Sequence, residues 1–203
     1  MRVDGSDQRA VLTTSARKDD PTRPAWSPDG VWIAVRVTTD TGEGDIVVLR
    51  PDGSGVTRLT NAAGRDDEPA WSPDGREIAF SSARDGNREI YVMNLDGSAQ
   101  TRITSHPERD VLPSWLPDGK RLAFLSSRQG RMNWEIFSIQ RDGSGEANIS
   151  NNGFWDFYPS VSPSGGTILF ASIRDGGMSG AVRLWLMNSD GSGQRPFFAT
   201  GAR

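Results

Sequence analysis

Asp66–Thr104 reads DDEPAWSPDGREIAFSSARDGNREIYVMNLDGSAQTRIT. An apolar segment closes at Trp71, and a Ser72-Pro73-Asp74-Gly75 turn follows it. Residues then alternate around Ile78 and Phe80 with the period of a strand. A polar turn, Arg84-Asp85-Gly86-Asn87, leads to the strand Ile90–Leu95 and the turn Asp96-Gly97-Ser98. The stretch ends in a short strand at Ile103-Thr104. Proline at the second place of Ser-Pro-Asp-Gly presets the angle that the first central residue of a turn needs. Asp-Gly between apolar runs is a hairpin signal. Four strands joined by tight turns leave no room for a helix.

The unit recurs. Gly30, Gly75, Gly119 and Gly165 close the first turn of each copy at spacings of 45, 44 and 46, and Pro24, Pro69, Pro113 and Pro159 keep the same intervals. Asp-Gly-Ser triplets begin at Asp4, Asp52, Asp96, Asp142 and Asp190. A four-stranded unit with this period is a propeller blade. The expected fold is all-β, with four complete blades of four antiparallel strands and a partial N-terminal one, as part of a larger propeller. The expected blades are 24–60, 66–104, 110–150 and 156–200, with 1–13 as the partial blade, all in one domain over 1–203. Met1–Ser6 aligns with Met93–Ser98, so the chain is expected to begin inside a repeat, as a piece of a longer reading frame, and it shows no signal peptide.

Composition narrows the function. The net charge of −3 supplies no basic field for nucleic acid. No apolar run is long enough to span a bilayer as a helix. Cysteine is absent, which removes disulfides, thiolate metal sites and thiol nucleophiles, and His106 is the only histidine. No Gly-x-Ser-x-Gly elbow or phosphate-binding glycine loop is present. No catalytic residue, metal site or cofactor is expected.

The pattern D-x-x-P-x-W-S-P-D-G, then I-A-F, S-x-R-D-G and E-I-Y-V-M-N-x-D-G-S, resembles the WD-like repeat of the TolB family. Similar repeats form the propeller domains of some serine peptidases and of bacterial surface and sensor proteins. The fourth copy departs from the pattern at Val161 and Ser164, and the first replaces the Arg-Asp-Gly turn with Asp40-Thr41-Gly42. The resemblance implies a non-catalytic scaffold in the periplasm or outside the cell that binds a protein or peptide. The alternatives are the propeller portion of an enzyme such as a serine peptidase, or an extracytoplasmic sensor domain.

Several residues are candidates for that binding. Asp66, Asp110 and Asp156 each precede an inner-strand proline by three, so they ring the axial opening, either as a ligand site or as partners of Arg84, Arg128 and Arg174. Phe154, Trp155 and Phe157 interrupt the repeat where the second copy is polar, as a binding loop or as packing. Trp32 and Trp134 stand where other copies carry polar groups, facing a partner or lying on their own blade. Trp26, Trp71 and Trp115, at one matched place, read as packing between blades. Five outer strands for four sets of inner strands predict an open arc, with self-association through its exposed faces as one consequence.

Overall fold

A computed structural model describes residues 10–11, 23–40, 42–130, 133–174 and 182–197. Those residues form strands and turns without a helix. The first blade comprises β1 (Ala25–Trp26), β2 (Ile33–Thr38), β3 (Gly44–Leu49) and β4 (Thr57–Arg58), and the second comprises β5 (Asp66–Trp71), β6 (Glu77–Ser82), β7 (Glu89–Asn94) and β8 (Thr101–Arg102). The third comprises β9 (Asp110–Trp115), β10 (Arg121–Ser126), β11 (Glu135–Gln140) and β12 (Ala147–Asn148). The fourth comprises β13 (Asp156–Val161), β14 (Thr167–Ser172), β15 (Arg183–Asn188) and β16 (Arg195–Pro196). Each blade is a four-stranded antiparallel meander in chain order.

The turns follow from their residues. In Ser72-Pro73-Asp74-Gly75, the Asp74 carboxylate accepts the Ser72 hydroxyl at 2.6 Å and the Arg76 amide at 3.1 Å, while the Ser72 hydroxyl oxygen accepts the Glu77 amide. Gly75 closes the turn at φ 71°, in the left-handed region that glycine enters without strain. Gly97 is restricted twice. Its φ is 82°, and a Cβ there would lie 2.7 Å from the Leu59 carbonyl oxygen of the preceding blade.

The core lies between blades, because each sheet is apolar on both faces. Ala34, Ile46, Val48 and Leu59 of the first blade pack against Trp71, Ile78, Phe80, Tyr91 and Met93 of the second. The next interface repeats this with Ala79, Ile90, Val92 and Ile103 against Trp115, Leu122, Phe124, Phe137 and Ile139. Trp71 donates its indole N–H to the Ala25 carbonyl at 3.0 Å, and Trp115 to that of Ala70 at 3.2 Å. These two tryptophans are inter-blade packing. Trp26, at the matched place in the first blade, is 58% exposed.

Among the described residues the first and last blades do not pair or pack strand to strand. Val182, Leu184 and Phe197 are exposed on the fourth blade, which has its own outer strand, β16. Of the N-terminal outer strand expected at 9–13, only Ala10 and Val11 are described, and neither is in a strand. The Val11 carbonyl approaches Gly53 as the Leu59 carbonyl approaches Gly97, so Val11 takes the place that a preceding blade's outer strand would hold.

Candidate binding site

The inner strands β5, β9 and β13 share a break in register. Pairing with the second strand shifts between Asp67 and Ala70, between Val111 and Ser114, and between Phe157 and Ser160. At each bulge the residue before the repeated proline sits in the left-handed region: Glu68 at φ 57°, Leu112 at 56° and Tyr158 at 52°. Proline has no N–H to lose from the ladder, so the bulge forms there with little hydrogen-bond penalty. A non-glycine residue at positive φ costs about 1–2 kcal/mol, and three matched instances mark a feature built into the repeat.

These residues meet on the axis. Arg23, Glu68, Leu112 and Tyr158, each followed by its proline, line one groove of about 200 Å³. The Arg23 guanidinium lies 4.9 Å from the Tyr158 ring centroid, bridging the first and fourth blades. The Glu68 carboxylate accepts the Leu112 amide at 2.8 Å and the Ser81 hydroxyl at 2.9 Å, with Arg88 at 3.4 Å. It thereby ties the bulge of blade two to that of blade three. Tyr158 is 59% exposed beside Arg23. A cation, an anion, an aliphatic chain and a phenol thus precede the four repeated prolines around one groove, and the last three share the same left-handed backbone.

The expected aspartates lie just outside this groove. Asp66, Asp110 and Asp156 are fully buried, each paired with the arginine of its own blade: Arg84 at 3.0 Å, Arg128 at 2.6 Å and Arg174 at 3.0 Å. Each guanidinium also lies over two rings, Phe80 and Tyr91, Phe124 and Phe137, or Phe170 and Trp185. Burial pushes the Asp110 carboxyl above the usual range, against the opposing effects of Ser126 and Arg128. The first blade has Thr39 in place of this arginine and Val35 and Val47 in place of the rings, so the clamp is lost as a unit.

The other candidates divide. Trp155 and Phe157 form an edge-to-face pair at 5.7 Å, Phe157 continues to Tyr158 at 6.1 Å, and Phe154 is exposed, so the aromatic loop adjoins the groove. Trp32 lies under Arg50 at 5.0 Å and packs against the first interface core. Trp134 is half-buried against the third. Both lie on their own blades, away from the axis. Sequence reasoning did not single out Arg23, Glu68 or Leu112, and it met Tyr158 only as the end of the aromatic stretch that breaks the repeat. The available signal was a position next to an unvarying proline where they disagree.

Residues 5–202 match the TolB beta propeller domain. The chain belongs to that family. A putative TolB from Agrobacterium tumefaciens is 28% identical with a TM-score of 0.78, over 91% of this chain and 68% of that one. TolB from Acinetobacter baumannii is 22% identical with a TM-score of 0.74, over 96% of this chain and 46% of that one. The chain thus spans about two thirds of one relative and about half of the other. Porphyromonas gingivalis dipeptidyl peptidase 4 shares the fold at 15% identity and a TM-score of 0.67, over 93% of this chain and 28% of that one. A TolB-type propeller therefore also resembles the propeller portion of an enzyme, and kinship of fold leaves scaffold and enzyme component both open.

Proposed function

We propose that this chain is a non-catalytic, extracytoplasmic propeller scaffold that binds a protein or peptide segment at its axial groove. One observation carries the reading: four dissimilar side chains, each preceding a repeated proline, line one opening. Repeated geometry with varied chemistry suits recognition of an irregular ligand, whereas structural positions such as Trp71 and Trp115 stay the same. The loop of Phe154, Trp155 and Phe157 extends the surface with aromatic area of the kind that anchors partners. Asp66, Asp110 and Asp156 act behind this surface, by holding the arginines of the second, third and fourth blades. His106 offers little support for catalysis, since its Nδ1 accepts the Glu108 amide at 3.1 Å within its own loop.

The test is a peptide-display selection on the immobilised chain, followed by titration of the selected peptides. Tyr158→Ala and Arg23→Ala should each weaken binding at least about tenfold, or about 1.4 kcal/mol, with melting temperature unchanged. Peptides that bind both variants as well as the parent would place the site elsewhere. The enzymatic alternative predicts turnover of peptide or ester substrates that is abolished by His106→Ala.

A further inference from the structure

A second cavity, of about 420 Å³, opens between the second and third blades. Asn87, Pro107, Glu108, Arg109, Ser127 and Trp134 line it, and none of them lines the axial groove. Comparison with the preceding blade shows what sets this place apart. Arg65, which matches Arg109, donates to the Asp67 carboxylate from Nε at 2.9 Å and from a terminal nitrogen at 2.7 Å. Arg88 reaches Asp67 at 3.2 Å and Glu68 at 3.4 Å, so the second blade pairs both cations internally.

The third blade replaces every one of those partners. Val111 and Leu112 stand where Asp67 and Glu68 stand, and Trp134 stands where Arg88 stands. Arg109 is retained, exposed and without an ion pair among the described residues. A carboxylate is unspent as well. Glu108 stands where Gly64 stands, and its side chain makes no ion pair or hydrogen bond among the described residues, although Arg109 follows it directly.

Two further donors face the same space. Ser127, only 4% exposed, accepts the Arg109 backbone amide at 3.2 Å and gives its own hydroxyl hydrogen to no described acceptor. The Trp134 indole, half-buried against the third interface core, has no described acceptor for its N–H. The wall itself is fixed. The Asn87 side-chain amide donates to Glu89 at 3.0 Å and to the His106 and Glu108 carbonyls at 2.8 and 2.9 Å.

Together these groups select a ligand. A simple anion would be repelled by Glu108 and a simple cation by Arg109, whereas a zwitterion with adjacent charges suits both. We propose that this cavity binds a free α-amino acid with an apolar side chain. Its carboxylate accepts from Arg109 and Ser127, its ammonium donates to Glu108, and its side chain lies against Trp134.

Calorimetric titration with L-phenylalanine tests this beside three analogues. Phenylpropanoate lacks the ammonium, phenethylamine lacks the carboxylate, and N-acetyl-L-phenylalanine mimics a peptide C-terminus. The expected result is saturable binding of phenylalanine at millimolar concentration or below, and at least about tenfold weaker binding of each analogue. Arg109→Gln, at an exposed position, should keep the parent melting temperature while weakening phenylalanine about tenfold. Glu108→Gln should remove the preference for phenylalanine over phenylpropanoate. The proposal is overturned if phenylalanine does not bind or if any analogue matches it. Unchanged affinity in Arg109→Gln, or an unchanged preference in Glu108→Gln, would overturn it too.

Discussion

At the residue scale, the repeated Asp–Arg pairs set stability more than charge balance does. Asp110→Ala leaves Arg128, itself 11% exposed, beside an empty place, and breaking such a pair costs about 3–5 kcal/mol. Asp110→Asn keeps a hydrogen-bonding group and should lose less, a difference that urea titration resolves. Burial also raises the Glu135 carboxyl above its usual range, opposed by the Ser150 hydroxyl and the Asn152 amide. A raised folded-state value means that the folded chain holds this proton more tightly than the unfolded one. Its contribution to stability is therefore full below the unfolded value and is lost as pH rises through the folded one. The turn aspartates Asp96 and Asp142 behave oppositely, because the hydroxyls of Ser98 and Ser144 lower them. Their contribution is present above the unfolded value and is lost as pH falls through the folded one. Urea midpoints across mildly acidic pH should accordingly flatten in Glu135→Gln, while Asp142→Asn changes only the acid limb.

At the element scale, one residue type has different weight in different turns. Gly97→Ala meets both a positive φ and the Leu59 carbonyl, whereas Gly119→Ala, at φ 65°, meets nothing within 4 Å. The second substitution should cost about 1 kcal/mol and the first clearly more, since the neighbouring blade must also move. Thermal melts of the two variants side by side check the order. Inner-strand tryptophans divide in the same way. Trp71→Ala opens a cavity in the first interface and removes an indole hydrogen bond, for about 3–5 kcal/mol, while Trp26→Ala, at an exposed site, stays within about 0.5 kcal/mol.

At the scale of the whole molecule, the fourth blade leaves apolar side chains exposed. Leu184 is 45% exposed and Phe197 is 51% exposed where Ile90 and Ile103 are buried in the second blade. Exposed apolar side chains of this kind favour a cover, whether further blades or a second copy. The isolated chain is expected to bind a hydrophobic dye and to show a mass in light scattering that rises with concentration. Leu184→Asp with Phe197→Asp should reduce both signals. A monodisperse monomer that ignores the dye would show instead that the face is stable in water.

The sequence alone determined the blade. Turn glycines, prolines and Asp-Gly-Ser triplets act through neighbouring backbone, so spacing reveals them, and alternation between them places the strands that β5–β8 and β9–β12 realise. The pairing of Asp66 with Arg84 was also legible as one of two alternatives, because equal numbers of repeated opposite charges suggest it. The groove could not be read in this way. Glu68, Leu112 and Tyr158 stand one repeat apart beside the repeated prolines, but only the bulged backbone and the packing of the blades bring them into one groove.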